Sequence, residues 1–254
     1  MMEQNRFGFF SSIPAVTKNL IIINFLCWLA NFALPKLGID LIRLFGLHFP
    51  TASGYHFYQL FTYMFLHAPN SLEHVFFNMF AVFMFGRVLE NVWGKQRFLL
   101  FYMTTGVGAA IIQILITYIR IKGIEASLDS ESIALVYNQG ESVIMQGMQF
   151  THPALNKLNL LINTQTIGAS GAVFGILLAF GMLFPNTPLF LMFLPIPIKA
   201  KYFVAIYGVI ELFLGVANFS GDNVAHFAHL GGMLFGYFMI RYWKKKDQDR
   251  GYTY

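Results

Sequence analysis

Residues 167–184 read IGASGAVFGILLAFGMLF, an uncharged apolar run with a serine set between glycines near its start. Its length is close to the roughly 20 apolar residues an α-helix needs to cross a bilayer. The hydroxyl of Ser170 falls where the first backbone N–H groups of such a helix have no partner inside it. Those groups, with the positive end of the helix dipole, can stabilise an oxyanion. Gly168, Ser170 and Gly171 can equally serve only to bring two helices close, a common use of small residues in membrane bundles. The tetrapeptide alone does not choose between chemistry and packing.

The rest of the chain supplies the frame. Its 254 residues are 56% hydrophobic and 11% charged, where soluble domains carry about a quarter charged residues. Apolar runs near residues 19–34, 74–89, 98–119, 167–184, 202–219 and 224–243 read as six transmembrane helices, so the expected fold is an all-α polytopic membrane bundle. The first run has no small-residue cleavage site before Pro35, which favours an uncleaved span over a signal peptide. The expected organisation is an N-terminal segment (1–17), a six-helix membrane domain (18–243) and a basic tail (244–254).

Residues 35–58 are broken by Gly38, Gly46, Pro50 and Gly54, and suit a loop lying partly in the interface. Residues 87–97 read as a loop with Arg87, Glu90, Lys95 and Arg97. Residues 120–166 form a long polar insert in which Val143, Met145 and Met148 could give a short amphipathic helix. Residues 189–194 are an apolar stub too short to cross, and 220–223 a polar turn. The fifth run carries a single acid, Glu211.

Assigning Lys and Arg to alternate sides puts twelve with the termini and five opposite, where seven acids also lie. The excess places both termini in the cytoplasm of a multi-pass protein, expected in the cell (inner) membrane. One cysteine, Cys27, leaves no intrachain disulfide, and no Cys/His zinc spacing occurs, so neither metal nor cofactor is expected. The dense basic run Lys244-Lys245-Lys246 directly follows an apolar helix and suits a bilayer surface rather than nucleic acid.

In this topology three polar features share one depth. Ser170 is expected one turn inside the outer end of span four, and His229 lies about five residues into span six, or ~8 Å. His74 and Asn78, at the outer start of span two, share a helix face by their i, i+4 spacing. Gly168, Gly171 and Gly175 make one small-residue stripe, and Gly232 and Gly236 continue a second from His229. Close approach of spans four and six is what a serine–histidine hydrogen bond needs. Glu211 reads as mid-span or deeper, so no third member is expected. His226 reads as cavity-lining, and His67 as ordering the approach to span two. His48, His56 and His152 read as solvated or interfacial. A metal site from His67, His74, His226 and His229 lacks an HExxH pattern and a carboxylate at helical spacing.

Taken in order, these residues resemble the rhomboid intramembrane serine proteases. His74-Val-Phe-Phe-Asn78 matches the family's HxxxN, Gly168-Ala-Ser170-Gly171 its GxSG, and Ala228-His229-Leu-Gly231-Gly232 its AHxxG. The resemblance implies Ser170 as nucleophile and His229 as general base of a dyad. It also implies that His74, Asn78 and the Ser170 backbone N–H stabilise the oxyanion. Phe174 stands where the family often has a tyrosine stacked on the base. The implied activity is an endopeptidase cutting in or near transmembrane segments of membrane-protein substrates. A catalytically silent protein that binds membrane clients is the alternative, and a transporter or channel a third class.

Overall fold

In a computed structural model of the chain, residues 13–191, 194–217 and 225–249 are described. The expected turn at 220–223 lies outside these residues. Helix α1 (Ala15–Ala33) runs into a 3-10 turn, Leu34–Leu37, closed by Gly38 at φ 77°. Ile22, Phe25, Leu26 and Leu29 along α1 are exposed, as a face turned to hydrocarbon requires. Two short helices follow, α2 (Leu41–Phe45) and α3 (Gln59–Thr62).

Helix α4 (Leu72–Ala81) starts at Ser71, whose hydroxyl accepts from the His74 N–H at 3.2 Å, an ordinary N-cap. A π turn over Val82–Gly86 leads into α5 (Arg87–Glu125). The expected loop at 87–97 is instead helical except at Gly94, where φ 77° and ψ 161° turn the chain. A residue that reaches positive φ without strain makes the whole connection, so no longer loop is needed. Helix α5 also continues to Glu125, past the expected end at 119.

The insert is more ordered than its polarity suggested. It holds two helices, α6 (Ser130–Met145) and α7 (Pro153–Asn163). Val136, Leu158 and Ile162 bury against Ile121 of α5 and Phe49 of the first loop, forming a second small core. Gly140 lets the two helices touch, because a Cβ there would stand 2.1 Å from Asn159 Oδ1.

Helix α8 (Ser170–Leu183) is buried along Gly171–Gly181 apart from Leu178. A helix apolar on every face belongs at the centre of a bundle, and α8 lies between α5 and α10 (His226–Asp249). The stub after it is an antiparallel hairpin, β1 (Pro188–Leu191) with β2 (Leu194–Lys199). Helix α9 (Ala200–Ala217) then carries the exposed apolar residues Ile206, Val209, Phe213 and Val216. The basic run Lys244-Lys245-Lys246 is helical, as part of α10, which continues to Asp249.

The stretches Ala15–Leu37, Leu72–Glu125 and Ala200–Ala217 are long and apolar enough to cross a membrane. The fold is an all-α integral membrane bundle. With 14 residues, α8 rises about 21 Å at 1.5 Å per residue, short of a hydrocarbon core of about 30 Å.

The end of the bundle opposite Ser170 is tied by charge. Glu90, buried, accepts from Val16 N–H at 2.9 Å, Thr17 N–H at 2.7 Å and the Thr17 hydroxyl at 2.8 Å. It thereby caps the open start of α1 from another helix. Arg97 donates twice to Asp247, at 2.9 and 2.8 Å, joining α5 to the last turns of α10.

Candidate active site

Ser170 is the first residue of α8, not one turn inside it. Gly168 explains the difference: its φ of 127° is closed to side-chain-bearing residues, so the helix cannot extend back through it. The segment before the helix is held by the first loop. Leu47 and Thr166 exchange both backbone hydrogen bonds at 2.9 Å, and Gly168 N–H donates to the Tyr63 carbonyl at 3.0 Å. His48 is buried there rather than solvated, its Nδ1–H donating to the Gly46 carbonyl at 3.0 Å and its Nε2 accepting from Gln165 at 3.0 Å. A buried irregular backbone needs such internal partners.

Glycines set how close α10 comes. A Cβ on Gly232 would lie 1.8 Å from the Gly171 carbonyl oxygen, and one on Gly236 would lie 3.5 Å from Gly175 Cα. Gly171 and Gly175 also receive Ala109 and Thr105 of α5, at 2.5 and 2.7 Å from their virtual Cβ positions. Three helices thus meet nearly backbone to backbone around α8.

That approach puts Ser170 Oγ 2.8 Å from His229 Nε2. Ser170 is half-buried and keeps solvent access, while His229 is buried. Phe174, one turn along α8, stacks on the imidazole with centroids 4.2 Å apart and planes 5° apart. Tyr207 of α9 backs Phe174 at 5.0 Å.

The chain brings a further residue here that the sequence reading placed too deep. Glu211 of α9 is buried, and its Oε2 accepts from Nδ1–H of His229 at 2.8 Å and of His226 at 2.7 Å. Glu211 belongs to α9 and His229 to the first turn of α10, and their side chains meet between the two helices. With Nδ1 donating to the carboxylate, His229 keeps its Nε2 lone pair for the serine hydroxyl. The available signal was a lone acid in an apolar helix, which requires a buried partner.

Glu211, His226 and His229 each offer one ligand atom, all within 4.8 Å of one another. The carboxylate that the sequence pattern lacked thus comes from a different helix. Separations of 2.7 and 2.8 Å to a single oxygen are hydrogen-bond lengths, and the three side chains satisfy one another as they stand.

On the other side of Ser170, His74 Nε2 would lie 2.9 Å from a Cβ on Gly168, and Ser170 Oγ 3.7 Å from it. The imidazole therefore borders the serine across the glycine. Asn78 is buried, and its Nδ2 donates to the His74 carbonyl at 2.8 Å, using one of two amide hydrogens. His67 packs edge-on against His74 at 4.9 Å. Its ring nitrogens make no hydrogen bond among the described residues, while its carbonyl accepts from Asn31 Nδ2 at 3.3 Å. His56 and His152 are exposed.

Residues 54–246 match the Rhomboid domain family. The chain is also 31% identical, over 108 residues and 42% of its length, to "Putative rhomboid protease YdcA" of Bacillus subtilis (strain 168). It spans 52% of that relative's length.

Proposed function

Since the chain belongs to the rhomboid family, we propose that it is an intramembrane serine endopeptidase acting on transmembrane segments of membrane-protein substrates. The observation that carries this reading is the 2.8 Å contact between Ser170 Oγ and His229 Nε2. Serine is a weak nucleophile until a base takes its proton, and an imidazole at hydrogen-bond distance can do so. His229 Nε2 accepts the Ser170 proton as Oγ bonds to the scissile carbonyl carbon. The carbonyl oxygen becomes an oxyanion, facing the Ser170 N–H at the open start of α8, with His74 and Asn78 alongside. His229 then gives its proton to the leaving amine as the C–N bond breaks. His229 then takes a proton from water as its oxygen bonds to the acyl carbon, and returns that proton to Ser170 Oγ as the Oγ–C bond breaks and the acid product leaves.

The substrate's backbone must leave its helix before Ser170 can reach a carbonyl, because helical carbonyls are spent on internal hydrogen bonds. Substrates therefore carry small or helix-breaking residues near the site. The six crossings are α1, α4 with its π turn, α5 beyond Gly94, α8, α9 and α10. Both termini are cytoplasmic by the charge distribution, and Ser170 lies toward the opposite face.

Reconstitution with a reporter carrying such a transmembrane segment tests the reading. Wild-type protein cleaves it, and Ser170→Ala and His229→Ala do not. Cleavage by Ser170→Ala at the wild-type rate overturns the serine mechanism. Ion or solute flux through liposomes without any cleavage would instead support a transporter.

A further inference from the structure

We propose that Glu211 is the positioning residue of the general base, making the array a Ser170–His229–Glu211 relay steadied by His226. The inference rests on the serine–histidine reading above and extends it. Glu211 is the sole acid of α9, and it is buried. A carboxylate so placed is costly unless it is fully hydrogen-bonded. Here one oxygen receives both Nδ1–H groups of the first turn of α10, at 2.7 and 2.8 Å.

Three consequences follow for His229. The bond to Oε2 fixes the tautomer, so Nε2 carries the lone pair that faces Ser170 at 2.8 Å. The carboxylate stands beside the imidazolium that forms when the serine proton arrives, and stabilises it. The ring is also held from three directions: Oγ at one nitrogen, Oε2 at the other, and Phe174 across its face at 4.2 Å. His226 supplies the second N–H to Oε2, which keeps the carboxylate from rotating away.

The carboxylate and the base belong to different helices. Helix α9 exposes Ile206, Val209 and Val216 on its outer side. Any displacement of α9 from α10 withdraws Glu211 from His229. The relay is complete only while α9 is docked.

A purely structural role, in which Glu211 only ties α9 to α10, makes different predictions. The test uses full-length detergent-purified protein, a fluorogenic transmembrane peptide and a fluorophosphonate that labels Ser170. For Glu211→Gln we expect KM within about twofold of wild type and kcat lower by about 10²- to 10⁴-fold, the range set by losing the carboxylate of a serine–histidine–carboxylate array. Labelling of Ser170 slows in parallel, and Glu211→Asp recovers at least tenfold of the lost kcat. If Glu211→Gln keeps wild-type kcat, or loses only as much as its folded fraction, the relay is refuted.

Should that variant not fold, histidine-selective ¹⁵N spectra of wild type decide. His229, assigned with His229→Gln, is expected as the Nδ1–H tautomer at rest, and the Nε2–H tautomer contradicts the relay. Cleavage by Ser170→Ala would sink the underlying enzyme reading. An inert Ser170→Ala with a fully active Glu211→Gln sinks only the role of Glu211.

Discussion

Gly232 rests directly on the backbone of Gly171: a Cβ at Gly232 would stand 1.8 Å from the Gly171 carbonyl oxygen. The neighbour is main chain, which cannot rotate aside. Gly232→Ala is therefore expected to push α10 from α8, lowering stability by about 1–3 kcal/mol and abolishing cleavage as the Ser170–His229 contact opens. Gly123, with nothing within 4 Å of its virtual Cβ, is the control. Gly123→Ala should leave cleavage unchanged and raise stability slightly, by up to about 1 kcal/mol. Thermal unfolding in detergent with parallel cleavage assays checks both.

The stack of Phe174 on His229, at 4.2 Å and 5°, orients the base without any polar contact. Such pairs contribute about 0.5–1.5 kcal/mol beyond their buried area. Phe174→Ala should lower kcat by roughly 2- to 12-fold for that reason. Phe174→Tyr, which keeps the ring, should stay within about twofold of wild type. Steady-state kinetics on the reporter separates the two.

Glu90 holds the start of α1 through two backbone N–H groups and the Thr17 hydroxyl. Removing the carboxylate leaves buried donors without a partner, a loss of about 1.5–3 kcal/mol for hydrogen bonds to a charged group. Glu90→Ala should lower the unfolding midpoint while Ser170 in the folded fraction still labels. Loss of labelling with an unchanged midpoint would contradict this purely structural role.

The insert is docked by Glu141 of α6, which accepts from Ser53 and pairs with Arg43 at 3.0 Å. The Ser53 hydroxyl foremost, and also Arg43, hold its carboxyl below the usual carboxylate range against an opposing effect of burial. A depressed folded-state pKa means that this docking is in full force above the unfolded value, near pH 4.3 for glutamate. It is lost as pH falls through the lower folded value. Hydrogen exchange across α6 (Ser130–Met145), corrected for intrinsic rates, should rise on acidification below about pH 4. In Glu141→Gln, the share of that rise due to this carboxyl should vanish.

Much of this was legible in residue patterns, and the exceptions share a cause. Uncharged runs and glycine spacing mark α8 and α10 because lipid and close backbone approach impose those compositions directly. The residues that meet in space, Ser170 and His229, sit beside the glycines that bring their helices together. Glu211 was missed because its partners His226 and His229 lie on another helix, and spacing within one helix does not report which residues of two helices face each other. Ser170 was set a turn too deep because nothing in a one-dimensional pattern reports the φ of 127° at Gly168. The insert was expected to hold one short helix around Val143–Met148, but α6 ends at Met145 and the extent of its two helices was hidden because their core is completed by Phe49 and Ile121, both outside residues 130–163. His48 looked solvated because its partners, Gly46 and Gln165, are a loop carbonyl and a side chain 117 residues away.

The most direct test is the site of covalent modification. Purified protein is treated with a fluorophosphonate and digested, and the adduct is mapped by mass spectrometry. The account predicts one stoichiometric adduct on Ser170, abolished in Ser170→Ala and in folded His229→Ala. An unmodified Ser170 in protein that cleaves its reporter, or labelling that persists at the wild-type rate in His229→Ala, would contradict it.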